Sequence, residues 1–158
     1  MTKEEKRQQV ICSCIQQQEH IATIAKQEMD SAQQQSNDYG ANVDRYDSYR
    51  TKMMRARDMY AKQLSNANAS LRVLQELLRM PAPTEAVHGA VVVTDKQCFL
   101  LGIGLGKVLV PFNPAAGEQQ ESVYAVSAQT PVYLALKGKM VGDTVIIGGQ
   151  SQTIREVL

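Results

Sequence analysis

The sequence is poor in aromatic residues and has no strong charge of either sign. It contains no tryptophan and only two phenylalanines among 158 residues, and aromatic residues make up 5% of the chain. A hydrophobic core must therefore be built mainly from aliphatic side chains. The formal net charge is +1, whereas a general nucleic-acid-binding protein would be expected to carry an excess of Lys and Arg. Any electrostatic function must therefore depend on local groups of charges.

The sequence also lacks long apolar runs and a disulfide pattern. No stretch approaches the ~20 apolar residues of a membrane span, and the charged start MTKEEKRQQV is not followed by the apolar run of a secretory signal. The three cysteines, Cys12, Cys14 and Cys98, form no paired framework. On this basis we expect a cytoplasmic protein with reduced thiols, and no membrane partner.

Glycine is nearly absent from the first half of the chain, and its distribution divides the sequence. Gly40 is the only glycine before Pro81, and the other nine follow Thr84. Before Pro81 the chain is rich in Gln, Ala, Lys, Arg, Glu and Met, which helices tolerate or favour. After Thr84 it contains β-branched runs typical of strands. We therefore predict a helical domain over residues 1–80 and a compact domain over residues 85–158.

The helical half is predicted to form an antiparallel hairpin that turns near Gly40. After the turn, a seam repeats every seven residues, with a companion series four residues on: Tyr46, Met53, Tyr60, Ala67 and Leu74, then Leu64, Leu71 and Leu78. Before the turn, a narrower stripe contains Ile11, Cys14, Ile21, Ala25 and Ala32. Two segments of similar length joined by a short turn pair most simply as antiparallel helices, each about 50 Å long.

The second half reads as a small α+β domain with an antiparallel sheet. Strands are predicted near residues 87–94, 97–104, 107–111, 122–126, 144–148 and 152–157. One short helix is predicted over residues 131–137, because Pro131 suits a first helical turn, Thr130 can cap it and Gly138 can end it. The GIGLGK stretch precedes another strand-like run instead of a helix, so we interpret it as a turn and not as a phosphate site.

Three acidic residues cluster around the predicted turn of the hairpin, near residues 37–47. These are Asp38, Asp44 and Asp47. Asp44 could simply cap the second helix, but one cap needs only one residue. Asp44 and Asp47 are spaced i, i+3, so both carboxylates would share one helix face. Paired carboxylates can hold a hard cation such as Mg²⁺ together with groups supplied by a partner.

The segment VYAVSAQTPVYLALKGKMVGDTVII, residues 123–147, resembles the C-terminal domain of the bacterial transcript cleavage factors of the GreA/GreB type. The matching positions are Ser127, Pro131, Ala135, Leu136, Gly138, Lys139, Gly142 and Asp143. The family plan is also similar to the one predicted here, since an N-terminal antiparallel coiled coil precedes an FKBP-like domain. The tip of the family carries an Asp-x-x-Glu pair where the second helix begins, and Asp44 and Asp47 fall at that place.

The resemblance implies a function as well as a fold. The coiled coil would enter the secondary channel of RNA polymerase when a transcript has backtracked, and Asp44 and Asp47, with Asp38 nearby, would help to hold a second Mg²⁺ and orient the attacking water. The protein would not itself be an enzyme: it would bind no cofactor alone, share Mg²⁺ with the polymerase site, meet nascent RNA only indirectly and need no small-molecule substrate. The residues expected to contact the partner are Ser127, Pro131, Lys137, Lys139 and Asp143.

Three other interpretations remain open at this stage. The second tip acid is Asp47 where the family has Glu, and Arg45 and Arg50 lie beside the pair, so the chain could occupy the channel as a regulator without promoting cleavage. An FKBP-like domain could instead be a peptidyl-prolyl isomerase or chaperone, although such pockets are lined by aromatics and few are present here. A general coiled-coil adaptor is the remaining alternative.

Overall fold

The computed structural model describes residues 2–38, 48–111 and 121–158. The helices are α1 (Lys3–Asp38), α2 (Ser48–Arg79) and α3 (Pro131–Leu136), and the strands are β1 (Val91–Thr94), β2 (Cys98–Leu101), β3 (Gly106–Val110), β4 (Glu121–Val126), β5 (Thr144–Ile147) and β6 (Gln150–Val157). The α+β prediction is confirmed at this level, because two long helices precede a sheet with one short helix. The predicted strands and the short helix all occur, in the expected order.

The two long helices follow from the absence of residues that break helices. Neither α1, with 36 residues, nor α2, with 32 residues, contains glycine or proline. A capping box starts α1: the Glu5 amide donates to Thr2 Oγ1 at 3.2 Å and the Thr2 amide donates to Glu5 Oε2 at 3.0 Å. Pro81 follows closely after the end of α2. Within the described ranges, no helix carries an apolar stretch that could span a membrane.

By its contacts the chain falls into two compact units. Residues Gln16–Arg72 form one, which we call the helical unit, and within it α1 and α2 pack together. Residues Met1–Ile15 and Val73–Leu158 form the other, which we call the sheet unit. The sheet unit therefore contains the first turns of α1 and the last turns of α2, together with the sheet and α3.

The seam of the helical unit is made of small and polar side chains. Its fully buried residues are Gln18, Ala25, Ala32, Ser36 and Ala67. The heptad predicted for α2 is confirmed where it is described, since Met53, Tyr60 and Leu64 are half-buried. The stripe predicted for α1 was wrong at Ile21, which is exposed, while Gln18 is buried. A strict seven-residue spacing before Ala25 places Gln18, and not Ile21, in the seam.

The six-stranded sheet is mixed, with the order β3-β4-β2-β1-β6-β5. The prediction of a wholly antiparallel sheet was wrong, because β2 and β4 pair in parallel, with Cys98 opposite Val123 and Leu101 opposite Val126. The reason is the order of the strands. β4 lies between β3 and β2, and it pairs antiparallel with β3 on one side and parallel with β2 on the other. The strand that follows β2 in sequence is therefore not its neighbour in the sheet.

The two faces of the sheet pack against different helices of the sheet unit. Val91 and Leu100 point to a face that packs against the first turns of α1 and the last turns of α2. Val92 and Leu101 point to the opposite face, which α3 covers through its buried residues. This alternation within each strand is what a period of two requires of a sheet covered on both sides. The sheet unit is thus a three-layer arrangement around two mainly aliphatic cores, one of which also contains Phe99 and Tyr133.

A buried arginine joins three segments of the sheet unit. Arg7, on α1, is only 3% exposed, and its guanidinium donates to the carbonyl of Leu77 at 2.7 Å, that of Met80 at 3.0 Å and that of Gly89 at 3.0 and 3.2 Å. Burial lowers the pKa of Arg7 from its usual value, and the nearby charge of Glu4 acts in the opposite direction. Arg7 therefore caps the carbonyl end of α2 and fixes it to the turn before β1.

The three thiols are expected to differ sharply in reactivity. Burial raises the pKa of both Cys14 and Cys98 to about 12, whereas Cys12 is exposed. Because the thiolate is the reactive form, a disulfide reagent at pH 8 should modify one thiol rapidly and the other two only as the protein opens. Release of thionitrobenzoate from native and denatured protein measures this. Rapid modification of all three in the native state would contradict the burial described here.

Candidate functional site

The acidic tip predicted from the sequence lies largely outside the described residues. Asp44 and Asp47 fall between the described ranges, and Asp38 is the last residue of α1, with its side chain outside the description. Their predicted roles in catalysis and in Mg²⁺ binding therefore remain predictions. Among the residues that the structure does describe, no group of three or more His, Cys, Asp or Glu side chains is placed to hold a metal ion.

The part of α2 nearest the predicted tip is strongly basic. Between residues 48 and 72 the only acidic residue is Asp58, and the basic residues are Arg50, Lys52, Arg55, Arg57, Lys62 and Arg72. Arg57 donates to Gln33 Oε1 on α1 at 2.7 Å and pairs with Asp58 at 2.8 Å. Arg50 is half-buried, and its Nε atom is buried without a hydrogen-bond acceptor among the described residues. The first half of α2 is therefore positively charged and follows closely in sequence after Asp44 and Asp47.

The segment that carries the family resemblance, residues 123–147, contains a well-formed helix start. The carbonyl of Ser127 accepts hydrogen bonds from the Thr130 amide at 3.1 Å and from Thr130 Oγ1 at 2.8 Å. Thr130 Oγ1 in turn accepts from the amide of Tyr133 at 3.3 Å, and Pro131 occupies the first turn. Ser127 and Pro131, two of the predicted partner-contacting residues, thus have clear structural roles in starting α3.

The loop after α3 is held by a pair of backbone hydrogen bonds. The Gly138 amide donates to the Ala86 carbonyl at 2.7 Å, and the Ala86 amide donates to the Lys139 carbonyl at 2.8 Å. Gly138 has a φ of +77°, a conformation that favours glycine. These contacts leave the side chains of Lys137 and Lys139 exposed on either side of the glycine. The two predicted contact lysines are therefore displayed from a fixed backbone.

Asp143 closes the next turn. Its Oδ2 accepts from the Met140 amide at 2.8 Å, and its own amide donates to the Met140 carbonyl at 3.0 Å. The adjacent backbone is tied to β6, because the Ile154 amide donates to the Asp143 carbonyl at 2.9 Å. The aspartate that matches the family motif therefore shapes the loop between α3 and β5, and it remains exposed at the surface.

The structure adds exposed apolar residues that the sequence reasoning missed. Leu134 is 63% exposed, Met140 is 53% exposed and Val141 is 54% exposed. We use the name α3 surface for Leu134, Lys137, Lys139, Met140 and Val141 together. Leu134 lies on the outer face of α3 because Tyr133 and Leu136, at i, i+3 spacing, occupy the buried positions. No such periodic signal identifies loop residues.

One open cavity of about 440 Å³ lies elsewhere on the sheet unit, between the β1–β2 turn and β4. Cys98 lines it, but burial raises the pKa of that thiol to about 12, so it is not an activated nucleophile. Tyr124 is the one described aromatic residue in its lining. Phe99 and Tyr133 are buried in the core instead. The described lining of this cavity therefore lacks the aromatic walls expected of a proline-isomerase pocket.

Comparison of the chain with protein-family models, with curated proteins and with solved structures found no match. An assignment of function therefore depends on the chemistry of the residues described above and on the resemblance stated for residues 123–147.

Proposed function

We propose that this protein is an RNA polymerase factor of the GreA/GreB type that enters the secondary channel and stimulates cleavage of backtracked transcripts. The observation that supports this most is the segment 123–147. There, motif residues coincide with positions that shape the surface: Pro131 starts α3, Gly138 takes a positive φ and Asp143 closes the next turn. A second support is the packed helix pair, whose connection contains the acidic residues.

In this proposal the polymerase remains the enzyme. Asp44 and Asp47 lend carboxylate oxygens to a Mg²⁺ that the polymerase also holds, so that two metal ions stabilise the attacking and leaving oxygens. Mg²⁺ prefers oxygen ligands and usually keeps several waters, so two carboxylates alone would hold it weakly. The length of the helices has a purpose here: α1, with 36 residues, spans about 54 Å at 1.5 Å per residue.

The sheet unit would act as the docking part of the molecule, and we propose that it is FKBP-like. A mixed sheet with α3 packed on one face is compatible with this assignment. The α3 surface combines three exposed apolar side chains with two exposed lysines, which suits a partner surface that pairs an apolar contact with carboxylates. Burial of Leu134 against such a partner would remove one of the most exposed apolar side chains from water.

The docking role predicts a clear difference between two matched leucine substitutions. Leu134→Glu should weaken binding to purified RNA polymerase by at least about tenfold, because it places a carboxylate at the apolar centre of the contact. Leu109→Glu is the control: Leu109 is 51% exposed on β3 and is not part of the α3 surface, and this substitution should leave binding within about twofold. Titration with labelled protein measures both. Equal affinities for the two variants would remove the α3 surface from the proposal.

The second candidate function is a factor that also binds RNA polymerase but does not stimulate cleavage. The shorter carboxylate of Asp47 and the presence of Arg45 and Arg50 beside the acid pair favour a channel-occupying regulator. Such a factor would bind polymerase and slow elongation without cleavage, and its effect would depend little on Mg²⁺. Measuring cleavage and elongation on the same stalled complexes separates the two functions, because the proposed cleavage factor shortens the transcript before elongation resumes.

A further inference from the structure

The helical unit and the sheet unit differ greatly in what they bury. In the helical unit, the fully buried apolar residues among those described are three alanines, Ala25, Ala32 and Ala67. The sheet unit buries many large aliphatic side chains, among them Leu100 and Leu101. Because hydrophobic stabilisation scales with the apolar area removed from water, each residue ordered in the helical unit gains far less than one ordered in the sheet unit.

The seam of the helical unit becomes more polar toward the end of α1. Arg50 and Arg57 occupy the same heptad series that Leu64 and Leu71 occupy further along α2. Arg57 finds Gln33 as a neutral partner across the seam, and Ser36 is buried close by in sequence. Arg50 has a buried Nε without an acceptor among the described residues. A buried donor that lacks a partner loses its water and gains nothing in exchange.

We propose that the helical unit is a separate conformational unit that opens while the sheet unit stays folded, and that Arg50 sets how readily it opens. Regions with little buried apolar area occupy the low-stability end of a protein's range of opening free energies. A partner that binds the closed helix pair would therefore also order it, which makes the opening equilibrium part of the binding affinity. This inference does not depend on the identity of the partner.

The mechanism assigned to Arg50 is a loss of seam contacts. An arginine at this heptad position cannot fill the seam as Leu64 does, because its charged end must reach solvent while its stem lies along the helix. Its buried Nε also adds a desolvation cost to the closed state that the open state does not have. Replacing Arg50 by leucine removes both effects and adds apolar contact, so the closed helix pair should be favoured.

Native-state hydrogen exchange of the full chain tests the separate opening. Amides of residues 18–38 and 48–70 are expected to show protection at least about 100-fold lower than amides of β1, β2 and β4. Denaturant should leave this difference in place until the sheet unit itself unfolds. Equal protection in the two units would show that the chain opens as one cooperative body and would overturn the proposal.

The variant Arg50→Leu tests the role of the arginine. It should raise protection in the helical unit by about tenfold and leave protection of β2 and β4 unchanged. Lys52→Leu is the matched control, because Lys52 is exposed on the same helix and its replacement should change protection less than about twofold. Equal gains in both units, or no gain from Arg50→Leu beyond that of the control, would contradict the assignment to Arg50.

Discussion

Replacing Asp44 and Asp47 together by asparagine is expected to reduce the stimulated cleavage of backtracked transcripts by at least about 100-fold, the usual scale for losing preorganised charge at a transition state. The substitutions keep the size of both side chains and remove the two negative charges that would bind Mg²⁺. The measurement is the cleavage rate of stalled elongation complexes prepared with purified RNA polymerase. Binding of the variant to polymerase should persist, because the α3 surface is unchanged.

Asp30→Asn with Asp58→Asn is the matched control for this experiment. It removes an equal number of negative charges from the described parts of α1 and α2, where Asp30 is exposed and Asp58 pairs with Arg57. Cleavage should stay within about threefold of the unsubstituted protein, since such surface charges act mainly through screened, long-range effects. Full cleavage by the tip variant would refute the tip mechanism. Loss in the control as large as in the tip variant would show that overall charge, and not a metal site, is responsible.

Arg7→Met should lower the free energy of unfolding of the sheet unit by about 3 kcal/mol, because it removes hydrogen bonds from a charged donor to several carbonyls and leaves these acceptors unsatisfied. Methionine fills part of the space but leaves the carbonyls of Leu77, Met80 and Gly89 without their shared donor. The Leu77 carbonyl would then keep only the Met80 amide as a donor, at 3.3 Å. The exchange rates of the slowest sheet amides under native conditions report this free energy directly.

Two further arginine variants separate capping from charge. Arg7→Lys keeps a positive charge but has one terminal nitrogen in place of a planar fork, so about half of the loss is expected. Arg79→Met changes an exposed arginine in the last turn of α2 and should cost no more than about 0.5 kcal/mol. If Arg7→Met and Arg79→Met had equal free energies of unfolding, the buried hydrogen bonds of Arg7 would contribute little to the stability of the sheet unit.

The elements of this fold were predictable where the signals are local. The long helices follow from the absence of glycine and proline, and α3 follows from Thr130, Pro131 and Gly138 acting at its ends. The parallel pairing of β2 with β4 was not predictable in this way, because it depends on which distant strand fills the neighbouring place. Gln18 was wrongly taken as an interruption of the seam because it is polar. The seven-residue spacing to Ala25 is the signal that identifies it as a buried seam position.

The residues of the candidate site also differ in whether a local sequence signal identifies them. The exposed positions of Lys137 and Lys139 agree with the reading of a surface turn around Gly138. Leu134 was missed because a leucine in a short helix is usually assigned to the core, and its outward position appears only when Tyr133 and Leu136 are recognised as the buried pair. The part played by Arg7 has no sequence signature, since its partners are backbone carbonyls that any residue can supply.

The two hydrogen bonds at Ala86 have a consequence for how the protein can change over time. Both use main-chain atoms only, joining Ala86 to Gly138 and Lys139, so replacing the neighbouring side chains leaves the attachment intact. Proline at Ala86 would remove one bond outright because it has no amide hydrogen. Natural selection, or a protein engineer, can therefore replace Lys137 and Lys139 one at a time, while Gly138 and the two hydrogen bonds keep the shape of the loop.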